Sequence, residues 1–113
     1  MPRLYVPNSG DVVCLFLNPQ AGDEQVTCEA LVLSPSRYNR KTGLMLCCPI
    51  VVQKGNPFEV QIVEEGSCAV LSDQIKSLDW KARKAEFKGK VSSAVLNAVR
   101  MRALALIGHP GNR

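Results

Sequence analysis

Five cysteines, one histidine and two basic clusters are the groups in this sequence with chemistry to offer. Cys14, Cys28, Cys47, Cys48 and Cys68 are odd in number and irregularly spaced, with no Cys-x-x-Cys anywhere. That pattern predicts reduced, mostly buried thiols and no metal site. Adjacent Cys47 and Cys48 would point to opposite faces of a strand, which keeps them from sharing a metal; Cys28, in a turn-like region, is the thiol to watch. His109, the lone histidine, would be the obvious acid–base group at neutral pH, but Gly108-His109-Pro110 sets it beyond the last expected element, away from any chemistry. Arg37, Arg40 and Lys41 form one basic cluster, and Lys76, Lys81, Arg83, Lys84, Lys88 and Lys90 the other. Such clusters attract phosphate regardless of base sequence. A solvated face is the default explanation of either one alone, and the net charge of +4 carries no nucleic-acid claim by itself. Trp80, Tyr38 and Phe58 could stack on bases, against the commoner use of Trp and Phe at strand positions as core.

The elements that must hold these groups read as short strands. Val12 to Leu17 is an apolar run between Gly10-Asp11 and Asn18-Pro19, as a buried strand bounded by turns would be. Asn18 to Asp23 follows as a loop. Ala30 to Leu33 is a second strand, closed by Ser34-Pro35 because a residue before proline avoids the helical basin. Ser36 to Gly43 is polar, with room for one helical turn ended by Gly43, and Leu44 to Val52 is a third strand, apolar except around Pro49. Phe58 to Val63 alternates with period two, Glu64 to Ser67 is a turn, and Cys68 to Leu71 and Ile75 to Asp79 are two more short strands. Strands this short and closely spaced predict a small β-barrel or sandwich. Val91, Val95, Val99, Ala103 and Leu106 recur at helical spacing after Ser92-Ser93 and before Gly108 and Pro110, an amphipathic helix of roughly 15 residues.

At 113 residues, 46% of them hydrophobic, the chain is expected to be one domain over 1–113. A domain of that size holds its chemistry in an open groove or across a dimer. No apolar run approaches the ~18 to 20 residues of a membrane span. The opening Met1 to Pro7 lacks the apolar stretch of a secretory signal, so a cytoplasmic location and no membrane contact are expected.

A long ordered set of short motifs goes further. Gly10-Asp11, Pro19-x-x-Gly22-x-Glu24-Gln25, Leu31-Val32-Leu33-Ser34-Pro35, Tyr38-Asn39, Thr42-Gly43, Pro49, Asp73-Gln74 and Trp80-x-Ala82-Arg83 occur in this order, and together they resemble the MazF/PemK (Kid) family of toxins. The resemblance implies a mainly β fold, a small SH3-like β-barrel (MazF/CcdB-like) with a C-terminal amphipathic helix and short helical turns in loops. It also implies an mRNA interferase, the toxin of a type II toxin–antitoxin pair that cuts single-stranded mRNA at chosen sequences. The expected partners are that RNA and an acidic antitoxin with a disordered tail, the chain being a homodimer that meets operator DNA only through the antitoxin complex. No cofactor and no metal are expected.

The family's reaction is a metal-independent transphosphorylation. A base takes the ribose 2′-hydroxyl proton, the oxygen attacks phosphorus, an acid protonates the departing 5′-oxygen, and a cation offsets charge building on the phosphoryl oxygens. The resemblance gives the base to Glu24, with Asp73 matching an acidic residue some relatives use instead; Leu71 stands where those relatives pair it with Arg, and turn amides could equally occupy Asp73. Where the family shows Gly-x-Arg-Pro this chain reads Val26-Thr27-Cys28-Glu29, so Cys28 takes the arginine position. Val51 takes that of a threonine or serine. A thiol lacks the guanidinium's permanent charge and planar fork. Arg37, Arg40 and Lys54 are the candidate substitute cations, and Thr27, Gln53 and Lys76 complete the expected RNA-binding set. The alternative is a catalytically weakened or inactive relative that binds RNA or antitoxin.

Overall fold

The apolar run around Val12 forms β1 (Asp11–Phe16), and the second strand starts earlier than expected, as β2 (Thr27–Val32). In this computed structural model, which describes residues 4–18, 26–62 and 66–108, there follow α1 (Ser36–Thr42), β3 (Leu44–Val52), β4 (Glu59–Gln61), β5 (Cys68–Leu71), β6 (Lys76–Asp79), β7 (Glu86–Lys90) and α2 (Ser93–Ile107). The polar segment expected as one turn is thus a short helix. Gly43, at φ +77°, ends it in the left-handed region that glycine enters without steric cost, its N–H bonding Asn39 O. Ser92 caps α2 by accepting from the Val95 N–H.

Hydrogen bonds link the strands in the order β4-β5-β3-β2-β1-β7, with β6 also on β3. All pairings are antiparallel. On the edge away from β2, β3 pairs first with β6 over Leu44 to Cys47 and then with β5 over Ile50 to Val52. Pro49 lies at that hand-over, where a residue without an N–H breaks no ladder on that edge. Among the described residues no ladder joins β6 to β7, so the sheet is curled rather than closed by hydrogen bonds. The turn from Trp80 to Lys84 bridges the gap.

Both faces of the central strands are apolar, which is why their sequences read as continuous runs rather than alternations. Val12, Leu31, Cys48 and Ile50 lie under Val95 and Val99 of α2. Val13, Leu15, Ala30, Met45 and Cys47 pack on the other face around Trp80. The expected apolar stripe of α2 is buried at Val95, Val99 and Ala103, but Leu106 is exposed together with Met101, Leu104 and Ile107. β7 carries no strand signal because Glu-Phe-Lys-Gly-Lys is almost wholly exposed on an edge.

A buried carboxylate ties that edge to the N-terminal segment. Asp11 accepts from Tyr5 Oη (2.6 Å) and the Asn8 N–H (3.0 Å), and pairs with Lys90 Nζ at 2.6 Å. Burial, then the Asp11 hydrogen bond and charge, hold the Tyr5 phenol well above its ordinary range. Asp11→Asn keeps the shape and loses the charge, and should cost about 1 to 2 kcal/mol in urea denaturation.

Candidate active site

Where β1 ends, β2 begins and β3 passes β6, register brings distant residues together: Leu15 opposite Cys28, Ala30 opposite Pro49, and Cys47 opposite Lys76. Side chains alternate across a strand, so Cys28 and Ala30 share a face with Cys47 and Pro49. They enclose a cavity of about 220 Å³ with Leu15, Leu17, Glu29, Lys76, Leu78 and Arg83. Val51, two residues beyond Pro49, projects from the same face of β3. The positions of the expected arginine and threonine therefore share a surface. Cys28 lies within β2, which corrects the turn-like placement expected for it.

Arg83 comes from the turn after β6. Asp79 Oδ1 and its carbonyl accept from the N–H groups of Ala82 (2.9 Å) and Arg83 (3.1 Å). Lys84 takes φ +53°, and its N–H reaches Lys81 O. From this frame Arg83 Nη1 donates to Phe16 O (3.1 Å) and Leu17 O (2.6 Å), while Arg83 O accepts from the Phe16 N–H at 3.0 Å. The guanidinium thus pins the end of β1 at the cavity's edge.

Burial, then the neighbouring Cys14, raises the Cys28 thiol pKa, against the charges of Lys76 and Arg83, which lower it. Burial pushes Cys47 up to about 11, with a further rise from Cys28, and Cys48 up to about 12, aided by Cys47 and Asp73. The cavity's thiols are accordingly neutral at pH 7. A thiol that ionises less readily folded than unfolded contributes stability that is complete below about pH 9 and lost as pH rises through 9 to 12. Melting temperature should fall over that window, and less in a Cys47→Ala, Cys48→Ala protein relative to its own value at pH 7.

The other expected site residues are spread out. Lys76 lines the cavity. Thr27 opens β2 opposite Phe16, exposed. Gln53 follows β3, its N–H on Ser67 O at 2.7 Å, and the Lys54 N–H donates to both Glu59 carboxylate oxygens at 3.1 and 3.0 Å. Arg37 lines a depression with Pro35, Tyr38 and Leu46; Arg40 lines another with Leu4, Val6, Trp80 and Lys81. Neither reaches the Cys28 cavity. Asp73 is exposed after β5, and its charge acts on Cys48, on the helix-covered face. Glu24 and His109 lie outside the described residues. Trp80 is 3% exposed and donates Nε1–H to Asn39 O, which makes it core. Arg83 was not singled out by sequence, although it stands in both the basic cluster and the Trp80-x-Ala82-Arg83 motif. Its contact with β1 needs the fold to be visible.

Known proteins share this fold and much of this sequence. Residues 8–107 match the family described as PemK-like, MazF-like toxin of type II toxin-antitoxin system. The chain is 43% identical over 111 residues to the endoribonuclease toxin MazF of Escherichia coli K12, covering 96% of this chain and 100% of that protein. MazF of Deinococcus radiodurans superposes with a TM-score of 0.82 at 44% identity, over 94% of this chain and 100% of that one. A MazE-MazF structure from the same organism gives 0.84 at 44% identity, over 92% and 98%. By the match over residues 8–107 and the near full-length identity, the chain belongs to the PemK-like, MazF-like toxins of type II toxin–antitoxin systems.

Proposed function

We propose that this MazF-like endoribonuclease toxin cuts single-stranded mRNA at preferred sequences, without a metal, in the groove around Cys28. The observation that carries this reading is the meeting of position 28 with Lys76 and Arg83 in one cavity, on the face from which Val51 projects. Glu24, in the segment between β1 and β2, takes the 2′-hydroxyl proton. The 2′-oxygen then bonds to phosphorus, the bond to the 5′-oxygen breaks, and that oxygen is protonated as it leaves. The products are a 2′,3′-cyclic phosphate and a free 5′-hydroxyl. The curled sheet acts as an SH3-like barrel, its seam bridged by the turn that carries Arg83.

The chain works in the cytoplasm as a single-domain homodimer, restrained by an acidic antitoxin whose disordered tail folds on binding. The MazE-MazF complexes among its relatives support such a partner. So do Met101, Leu104, Leu106 and Ile107, apolar and exposed on α2. Operator DNA is met only through the antitoxin complex. Among the described residues no helix is long and apolar enough to cross a membrane.

Cys28 and Val51 favour a second reading, a weakened relative that binds RNA or antitoxin. Incubating the purified chain with single-stranded RNA in EDTA separates the two. Cyclic phosphate ends are expected, with loss of the acidic limb of the pH–rate profile in Glu24→Gln. No cleavage at high protein concentration, with RNA still bound, would leave the binding module.

A further inference from the structure

We infer that Arg83, assisted by Lys76, supplies the cation that contacts the reacting phosphate, in place of the guanidinium missing at position 28. The inference rests on the ribonuclease reading above. Of the cations considered as substitutes, Arg37 and Arg40 line separate depressions, and Lys54 sits in the loop after β3 with its N–H on Glu59. Lys76 and Arg83 line the cavity itself. Both are near enough to pull the thiols of Cys28 and Cys47 downward, which registers their positive field inside it. Glu29, the acidic residue at its wall, also acts on the charge of Lys88. Two cations beside apolar walls repel each other, and an anion between them relieves that.

Arg83 is also fixed in place. Its hydrogen bonds to the Phe16 and Leu17 carbonyls both leave from Nη1, so the guanidinium is held by one nitrogen. Among the described residues Nε and Nη2 carry no partner, and those donors suit phosphate oxygens. The turn that presents it is fastened by Asp79, leaving little to reorganise as charge builds on phosphorus. The small Cys28 side chain leaves the volume beside it open. A phosphate can therefore approach a cation that comes from the other wall.

The test compares wild type with Arg83→Gln, Arg83→Lys and Lys76→Gln, and with Arg100→Gln, a charge-matched change on exposed α2. Single-turnover cleavage of single-stranded RNA in EDTA is followed beside thermal melting and the salt dependence of binding to 2′-O-methyl RNA. Arg83→Gln should cleave about tenfold more slowly and lower the salt slope by about one. Arg83→Lys should retain part of the rate, and Lys76→Gln should lose less than Arg83→Gln. Adding Cys28→Arg to Arg83→Gln should restore cleavage, which a purely structural loss would not allow. Cleavage by Arg83→Gln within twofold of wild type overturns the inference, as does a loss that follows melting temperature and is not rescued. A wild type that cuts no RNA overturns the ribonuclease reading instead; the salt slope then decides alone, and equal slopes for wild type and Arg83→Gln overturn the phosphate contact.

Discussion

Cys28→Arg combined with Val51→Thr is expected to raise the single-turnover rate of RNA cleavage by about tenfold to 100-fold. The gain comes from a charge that can follow the phosphorus to the transition state. Arg83 is tethered to the Phe16 and Leu17 carbonyls, so its position is fixed before substrate arrives. An arginine at 28 would rise from β2 into the cavity and offer a second planar fork to the equatorial oxygens. Threonine at 51 adds a hydroxyl on the same face of β3 and is close in size to valine, which limits the packing cost. A third cation beside Lys76 and Arg83 repels both, and that sets the upper limit. Stability should therefore drop slightly while rate rises, a combination read by melting curves beside cleavage. An unchanged rate would mean that Arg83 and Lys76 already meet the whole demand for charge.

The largest stability effect is expected at Asn39, which is fully buried. Its Nδ2 donates to Pro7 O (2.7 Å) and Ser34 O (3.1 Å), and its Oδ1 accepts from Ser34 Oγ at 2.6 Å. The same Ser34 oxygen accepts from the Leu46 N–H, and Asn39 O accepts from Trp80 Nε1. The side-chain amide thus joins the N-terminal segment to the β2–α1 connection, while Ser34 Oγ extends the network to β3 and the Asn39 backbone carbonyl to Trp80. Asn39→Ala strands two carbonyls and a hydroxyl without water to replace the lost partner. At about 1 to 3 kcal/mol for each buried group left unsatisfied, with partial relaxation, a loss of about 3 kcal/mol is expected. For a domain of this size that lowers the melting temperature by about 10 to 20 °C. Asn39→Asp should fare no better, since it turns both Nδ2 donors into an acceptor facing carbonyl oxygens. A shift of only a degree or two would mean that the network is dispensable.

Much of the scaffold could be read from local pattern. Leu44–Val52 and Cys68–Leu71 form strands with the bounds expected, because both runs combine β-branched or apolar residues with clear turn signals. The alternation rule put Cys47 and Cys48 on opposite faces, and they lie in different cores. β7 escaped because an exposed edge strand needs no apolar alternation. Leu106 was read into the buried stripe, but it is exposed, and burial on α2 stops at Ala103.

Sequence alone determined the family, the residue types at positions 28 and 51, and most strands, since these depend on residue type and on near neighbours. Tertiary structure decided which cations meet position 28. Arg83 bonds Phe16 and Leu17 from 67 and 66 positions away, and Lys76 reaches Cys47 only because β3 divides one edge between β6 and β5. Such proximity follows from register and the curl of the sheet, which belong to the whole folded chain and leave no periodic mark in it.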